Sequence, residues 1–127
     1  MRFRLFVAFL AVVALIACGL QDPSLSVSSP RGGETYQIGE SVTVRWGCEK
    51  CDGVIGQAKI ALLPAGSQKL LDIASGPVPG SMEWHAGSVE QGAVPLGRYQ
   101  IVVYADCDFS SEVRSCMATS GTFQLVR

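Results

Sequence analysis

Four cysteines in the body of the chain carry the side chains best suited to chemistry. Two residues separate Cys48 from Cys51, and eight separate Cys107 from Cys116. The first pair encloses Lys50, and a nearby cation lowers the pKa of a thiol, as a redox site requires. Four thiolates can instead bind zinc, although the wider spacing of the second pair fits zinc poorly. Two disulfides are the third hypothesis, and the compartment of the protein decides among the three.

Acidic side chains lie beside the same cysteines. They are Glu49, Asp52, Asp106, Asp108 and Glu112. Calcium binds oxygen ligands of this kind, but the spacing is neither that of an EF-hand nor that of a glycine-aspartate repeat. These carboxylates are therefore interpreted as solvated loop charges, and no metal site is predicted.

No catalytic set can be assembled from the remaining residues. His85 is the only histidine, and no serine motif or cysteine stands out as its partner. The chain has no HExxH motif, no nucleophile elbow and no glycine-rich phosphate loop. The sequence therefore predicts a protein that is not an enzyme, with no catalytic residue and no cofactor.

Short alternating segments separated by turn signals must position these side chains. Val42, Val44 and Trp46 share one side of an alternating run, which is the pattern of a half-buried strand. Trp46 and Trp84 are predicted to anchor the core. Predicted strands cover 25–28, 41–46, 57–63, 69–74, 82–86, 98–105 and 122–126. About seven short strands in one small domain predict an all-β sandwich.

The start of the chain differs from the rest in composition. Arg2 and Arg4 precede thirteen apolar residues, 5–17, which is the composition of a secretory signal. As a helix this run spans roughly 20 Å, short of the ~30 Å of a bilayer core. The run ends in Leu15-Ile16-Ala17-Cys18, which resembles the lipobox of bacterial lipoproteins, whose cysteine is lipidated and begins the mature protein. Plain secretion and a retained anchor are the alternatives.

The lipobox resemblance divides the chain into three parts. Residues 1–17 are predicted to be a lipoprotein signal peptide, 18–24 the lipidated Cys18 with a tether, and 25–127 the sandwich domain. Removing residues 1–17 leaves eight basic and eleven acidic side chains, a net charge of −3. That charge argues against a nucleic-acid partner and against a polybasic membrane patch.

A second resemblance covers nearly the whole domain, roughly residues 25–126. The matching residues are the opening Ser29-Pro30-Arg31-Gly32-Gly33-Glu34, Tyr36, Gly39, the strand 42–46, and later 73–76, Ser81, Trp84, 95–101 and 121–123. They resemble the Ser/Thr-rich GPI-anchored membrane protein family, which is related to the N-terminal domain of yeast cell-wall β-glucan synthesis proteins. Arg31 stands where the family usually has asparagine, and the cysteine-bearing insertions depart from the pattern.

The family resemblance implies a non-catalytic, immunoglobulin- or fibronectin-III-like sandwich at a cell surface. Gly97-x-Tyr99 resembles the tyrosine corner of such sandwiches, in which the hydroxyl bonds to a nearby backbone group. In that fold the loops 47–56 and 106–120, which carry the four cysteines, lie at the same end. An even number of cysteines in an exported domain indicates two disulfides. Local pairing, Cys48 with Cys51 and Cys107 with Cys116, is slightly favoured, and cross-loop pairing stays open.

The predicted function is that of a lipid-anchored cell-envelope module that binds an envelope protein or a cell-wall polysaccharide. The membrane is reached through lipid on Cys18, in the outer membrane if the cell has one, because Gly19 and not aspartate follows it. The cysteine-bearing loops are predicted to recognise the partner. Phe109 is their only aromatic residue and the predicted binding residue, and a single ring favours a protein over a sugar. The alternative is a thiol-redox or metal-handling lipoprotein that uses Cys48 and Cys51.

Overall fold

Alternating apolar and polar side chains form strands through most of residues 22–127, which the computed structural model describes. The predicted signal peptide, 1–17, and the predicted lipidation residue Cys18 lie outside these residues. The described strands, in chain order, are β1 Ser24–Ser29, β2 Thr35–Gln37, β3 Ser41–Glu49, β4 Val54–Pro64, β5 Leu71–Gly76, β6 Gly80–His85, β7 Ser88–Val89, β8 Gly92–Ala93, β9 Gly97–Phe109, β10 Glu112–Thr119 and β11 Phe123–Val126. A 3-10 turn, Cys51–Gly53, joins β3 to β4.

The strands form two packed sheets and a small hairpin. The first sheet has the order β1-β3-β6, and the second has β2-β11-β9-β4-β5, with β10 also paired to β9. β7 and β8 form the separate hairpin. β10 and β11 follow one another along the same edge of the long β9, while β4 occupies its other edge. The all-β sandwich predicted from the sequence is therefore present.

The core lies between the two sheets and is built around the predicted tryptophans. Trp84 is 1% exposed, and its ring meets that of Phe123 edge to face at 5.9 Å, which joins β6 to β11. Trp46 is equally enclosed, and its indole N–H donates to the Pro77 carbonyl at 2.8 Å. The alternation predicted for β3, β9 and β11 is confirmed, because their inward side chains are buried: Val42, Val44, Tyr99, Ile101, Val103, Phe123 and Leu125.

Two predicted loops are wrong in extent. Loop 47–56 shrinks to the 3-10 turn, because β3 continues to Glu49 and β4 begins at Val54. Loop 106–120 is largely a β-hairpin, in which β9 continues to Phe109 and β10 pairs with it. Ser110 and Ser111 form its two-residue turn, both with positive φ (53° and 74°), and this conformation suits the twist of a tight hairpin.

A tight turn follows Pro30 and is held by Glu34. Gly32 and Gly33 both have positive φ (123° and 86°). The Glu34 carboxylate accepts the backbone N–H groups of Arg31 (2.8 Å) and Gly32 (2.7 Å). Burial alone would raise the pKa of Glu34, but these backbone hydrogen bonds outweigh it and leave the pKa below its ordinary value of 4.5.

Replacing Glu34 by glutamine is expected to lower the free energy of unfolding by about 1 kcal/mol at neutral pH. A carboxyl group with a lowered folded-state pKa stabilises the fold above its unfolded pKa, and this contribution disappears as the pH falls through the folded pKa. The stabilities of wild type and Glu34→Gln should therefore converge in acid below pH 4.5. Urea unfolding followed at several pH values measures this difference. A difference in unfolding free energy that stays constant with pH would contradict the stabilising role of the Glu34 charge.

Candidate functional site

One end of the sandwich gathers the first described residues and all four domain cysteines. We call it the disulfide end; it comprises residues 22–24, 48–54, 107–112 and Cys116. Pro23 is buried there, and its ring lies so close to Gly53 that a Cβ on Gly53 would come within 2.9 Å of it. The carbonyl oxygen of Pro23 lies 4.0 Å from the sulfur of Cys116. The chain therefore enters the domain between the two cysteine pairs.

Both cysteine pairs form local disulfides, so the favoured pairing is confirmed. Cys48 and Cys51 are bonded across the 3-10 turn, with their Cα atoms 5.3 Å apart. Cys107 and Cys116 are bonded diagonally across β9 and β10, with a Cα separation of 5.9 Å. Val54, which directly follows the 3-10 turn, lies opposite Cys107 in the sheet, so the two bridges are close neighbours. The prediction that both cysteine pairs lie at the same end of the sandwich is therefore confirmed.

The two bridges differ in exposure. Cys107 and Cys116 are 0% and 6% exposed and belong to the protein interior. Cys48 and Cys51 are only partly buried, and Lys50 between them adopts a left-handed conformation (φ 55°). Within residues 22–127, no group of three His, Cys, Asp or Glu side chains could hold a metal ion. Of the two pairs, the partly buried Cys48–Cys51 bridge is the one that a soluble thiol can reach.

The difference in exposure predicts an order of reduction. A thiol reductant under native conditions is expected to reduce Cys48–Cys51 at least tenfold faster than Cys107–Cys116, because attack needs access to a sulfur atom. Timed alkylation followed by peptide mass spectrometry measures both rates in one sample. Denatured protein is the control, since both bridges are accessible there. Equal rates in the native protein would show that burial does not protect the second bridge.

The predicted binding residue Phe109 lies at the tip of the β9–β10 hairpin. The guanidinium carbon of Arg114 is 4.6 Å from its ring centroid, a cation–π contact that covers one face of the ring. One face of the Phe109 ring is therefore unavailable for stacking on a ligand. Arg114 also forms, with Glu112, the ion pair recorded among residues 22–127, at 3.9 Å and highly exposed.

The predicted acidic group is divided by the fold. Glu49 and Asp52 lie beside and within the 3-10 turn. Asp106 and Asp108 point away from the core on β9, and Glu112 begins β10. His85 is exposed at the end of β6, where its backbone carbonyl accepts the Ser88 hydroxyl. These side chains therefore do not converge on one reacting centre.

The side of the larger sheet that faces away from the core carries a surface that sequence reasoning missed. We call it the outer face. Residues directly opposite one another in neighbouring strands share a face, so the register defines it. Its rows, read from β4 through β9 to β10, are Ile55, Asp106 and Ser115, then Lys59, Tyr104 and Met117, with Val113 opposite Asp108 beyond them. The outer face therefore carries apolar side chains with two carboxylates, Asp106 and Asp108, and one basic side chain, Lys59, among them.

A bulge in β4 opens a depression in this outer face. Ile55 pairs with Asp106 and Lys59 with Tyr104, so the three intervening β4 residues lie opposite the single Ala105. Gly56 supplies the positive φ (71°) that the bulge needs. The depression has a volume of about 190 Å³ and is lined by Gln57, Lys59, Tyr104, Ala105 and Asp106.

Tyr104 is held in place at the edge of this depression. Its hydroxyl donates to the Asp72 carboxylate at 3.2 Å. Burial raises the pKa of Tyr104, and the charges of Asp72 and Glu90 raise it further. The phenol therefore stays protonated at neutral pH and keeps its hydrogen bond, so the ring forms a fixed wall of the depression.

Comparison with known proteins gives no relative for this arrangement. No protein family, curated protein or solved structure matches the chain. Residues 22–127 contain no helix long and apolar enough to cross a membrane. What the outer face and the disulfide end can bind is therefore argued from their own side chains.

One signal in the sequence could have revealed the outer face. Residues 113, 115, 117 and 119 alternate with 112, 114, 116 and 118, and this is strand periodicity. The apolar Val113 and Met117 are on the exposed side, while Glu112 and Arg114 occupy the other. An alternating strand whose apolar side is exposed is typical of an interaction surface.

Proposed function

We propose that this protein is a lipid-anchored, non-catalytic module of the cell envelope that binds another envelope protein. The observation that carries the proposal is the sequence Leu15-Ile16-Ala17-Cys18 at the end of a short apolar run with arginines before it. Cys18 is the lipidated residue, and the lipid holds the domain at the membrane surface, in the outer membrane where one exists. The two disulfides are consistent with an exported domain.

An immunoglobulin-like class for the sandwich is part of the proposal. The strand order supports it, because β1-β3-β6 faces a sheet ordered β2-β11-β9-β4-β5, with the first strands divided between the sheets. The Tyr99 hydroxyl donates to the Pro95 carbonyl four residues upstream, as in a tyrosine corner. The Glu34-held turn supports the resemblance to the Ser/Thr-rich GPI-anchored family, whose opening motif it contains.

The position of the tether has a consequence for where a partner can bind. Between Cys18 and Pro23 the chain is short enough that even full extension spans at most roughly 17 Å. Because Pro23 lies at the disulfide end, a lipid on Cys18 turns that end towards the membrane. The cysteine-bearing loops then face lipid at close range, and the outer face becomes the open surface available to a partner.

The character of the outer face favours a protein partner over a polysaccharide. Sugars are bound largely by stacking on exposed aromatic rings, and the outer face offers only the half-buried Tyr104. Phe109, on the opposite side of the hairpin, has one ring face covered by Arg114. Exposed methionine and aliphatic side chains such as Met117 and Val113 are instead typical of protein interfaces.

Lipid attachment is tested by replacing Cys18 with alanine in cells. The wild type is expected to sediment with membranes and to incorporate an alkyne-tagged fatty acid, and Cys18→Ala is expected to lose the label completely. The variant Cys48→Ala/Cys51→Ala is the control, since it removes two cysteines without touching the lipobox and should keep the label. Fatty-acid incorporation by Cys18→Ala, or none by the wild type, would refute the proposal.

The alternative function, thiol redox or metal handling, rests on the partly exposed Cys48–Cys51 bridge and its adjacent Lys50. A double replacement by serine separates the two functions. A redox or metal role predicts loss of thiol–disulfide exchange or of bound zinc in the purified protein. A structural role predicts lowered stability alone, with zinc content and exchange activity unchanged.

A further inference from the structure

Three of the five large apolar side chains that are exposed within residues 22–127 lie on the outer face. Val113, Met117 and Ile55 are 61%, 58% and 46% exposed, and all three share this face in the strand register. Exposed apolar side chains on one sheet face, with polar groups between them, are typical of an interaction surface.

Carboxylates stand between these apolar groups. Asp106 lies opposite Ile55, and Asp108 lies opposite Val113. Neither belongs to the ion pair found among residues 22–127, which joins Arg114 to Glu112. Lys59 is the one basic side chain in these rows, so this part of the outer face has a negative balance.

The charge pattern decides what can cover this surface. A bilayer would have to remove water from Asp106 and Asp108 along with the apolar groups, and burying unpaired carboxylates is costly. An anionic bilayer would also repel them. A second copy in a two-fold dimer would bring two surfaces of the same negative balance together, which is unfavourable. A protein segment that carries cations among apolar side chains complements both features.

The depression beside Tyr104 provides a place for such a cation. It is bounded by the Asp106 carboxylate, the Gln57 amide and the fixed Tyr104 ring. A guanidinium group pairs with a carboxylate through hydrogen bonds and also stacks on an aromatic face. Lys59 also lines the depression, but its long flexible stem allows its ammonium to move into solvent.

We propose that the outer face around Ile55, Val113 and Met117 docks a basic, partly apolar segment of another envelope protein, with an arginine or lysine inserted beside Asp106. This inference rests on the proposed function, that of a membrane-anchored protein-binding module. The strands run away from the disulfide end, so the outer face is directed sideways. The partner therefore docks laterally, close to the membrane.

The test is site-specific photo-crosslinking of the full-length protein in intact cells. A photoreactive phenylalanine analogue replaces Met117 or Val113 in separate strains, and Ser26 or Ser81, exposed on the smaller sheet, in controls. We expect one protein adduct from the two outer-face positions, mapped by mass spectrometry to a segment rich in arginine or lysine. The adduct yield should fall at least fivefold in Asp106→Asn/Asp108→Asn. Lys59→Gln, which removes a cation from the same face, should not lower it.

The other outcomes overturn the inference in distinguishable ways. Adducts only with lipid, only with a second copy, or with a segment lacking basic residues would exclude the proposed occupant. Protein adducts from Ser26 or Ser81 but not from Met117 would leave the binding function standing and refute the outer face as its site. The absence of a protein adduct from all four positions would refute protein binding itself. An adduct yield that the aspartate changes leave unaffected would refute the charge complementarity.

Discussion

Removing the buried Cys107–Cys116 bridge by a double change to alanine is expected to lower the free energy of unfolding by about 3 kcal/mol. The bridge closes a loop with eight intervening residues, and both sulfur atoms are buried against the core. Its loss releases chain entropy in the unfolded state and leaves a small cavity beside β1. This change therefore affects the anchoring of the first strand as well as the hairpin.

The Cys48–Cys51 bridge supplies the matched comparison. Its loop contains only two intervening residues and its sulfurs are half-buried, so its removal should cost about 1–2 kcal/mol. Urea unfolding of both double variants, with the slope on urea concentration fitted for each variant, measures the difference. Equal losses of unfolding free energy would contradict the importance given to burial of the Cys107–Cys116 bridge. Four free thiols in the untreated protein would contradict both bridges.

Truncating Trp84 to alanine is expected to lower the free energy of unfolding by about 3–5 kcal/mol, which is comparable to the whole stability of many small domains. Trp84 is fully enclosed, contacts Phe123 of the opposite sheet, and donates its indole N–H to the Ser88 carbonyl at 2.7 Å. The truncation therefore removes an edge-to-face contact between the sheets and leaves the Ser88 carbonyl without its donor.

Thermal and urea unfolding of purified protein measure the effect of this truncation. Ser81→Ala, an exposed change on the same strand, is the control and should stay within about 0.5 kcal/mol of wild type. If Trp84→Ala does not fold, Trp84→Phe keeps the prediction testable, since it retains an aromatic ring and should lose less. A loss below 1 kcal/mol in Trp84→Ala would refute the anchoring role.

Strand periodicity located β1, β3, β4, β5, β6, β9 and β11 but not β2, β7, β8 or β10. The prediction was clearest for β3, β9 and β11, because the core sides of these strands are uniformly apolar. Val42, Val44 and Trp46 point inward as their spacing of two requires, and the tryptophans lie in the core. Turns with a strong chemical signature were also predictable. Gly32 and Gly33 have the positive φ that their position after a proline indicated.

The β9–β10 hairpin was missed for two physical reasons. Its turn uses Ser110 and Ser111 at positive φ, where asparagine and glycine would have been the recognisable residues. In β10 the polar side chains Glu112 and Arg114 lie on the side that continues the core, because the hairpin extends beyond the end of the sandwich. In this part of β10 the side chains on the core side are therefore not the apolar ones, and the sequence of this segment resembles that of a loop.

The candidate site could be located only in part from the sequence. The cysteines indicated a disulfide-bonded end, and the local pairing agrees with the slightly favoured hypothesis. Only the alternation of β10 signalled the outer face. Its full extent could not be predicted, because it depends on the register that brings Ile55 and Met117 to the same side of distant strands. The depression depends in addition on a three-residue bulge, which only the pairing reveals.

The parallel pairing of β2 with β11 has a kinetic consequence. Thr35, near the start of the domain, lies opposite Gln124, near its end, and the Gly33 N–H donates to the Thr122 carbonyl at 2.7 Å. Contacts between such distant positions cannot form until the final strand is available, and folds dominated by them form in milliseconds to seconds. A ribosome-bound chain therefore remains incomplete at this edge. The domain closes along β2 only after β11 has left the ribosome.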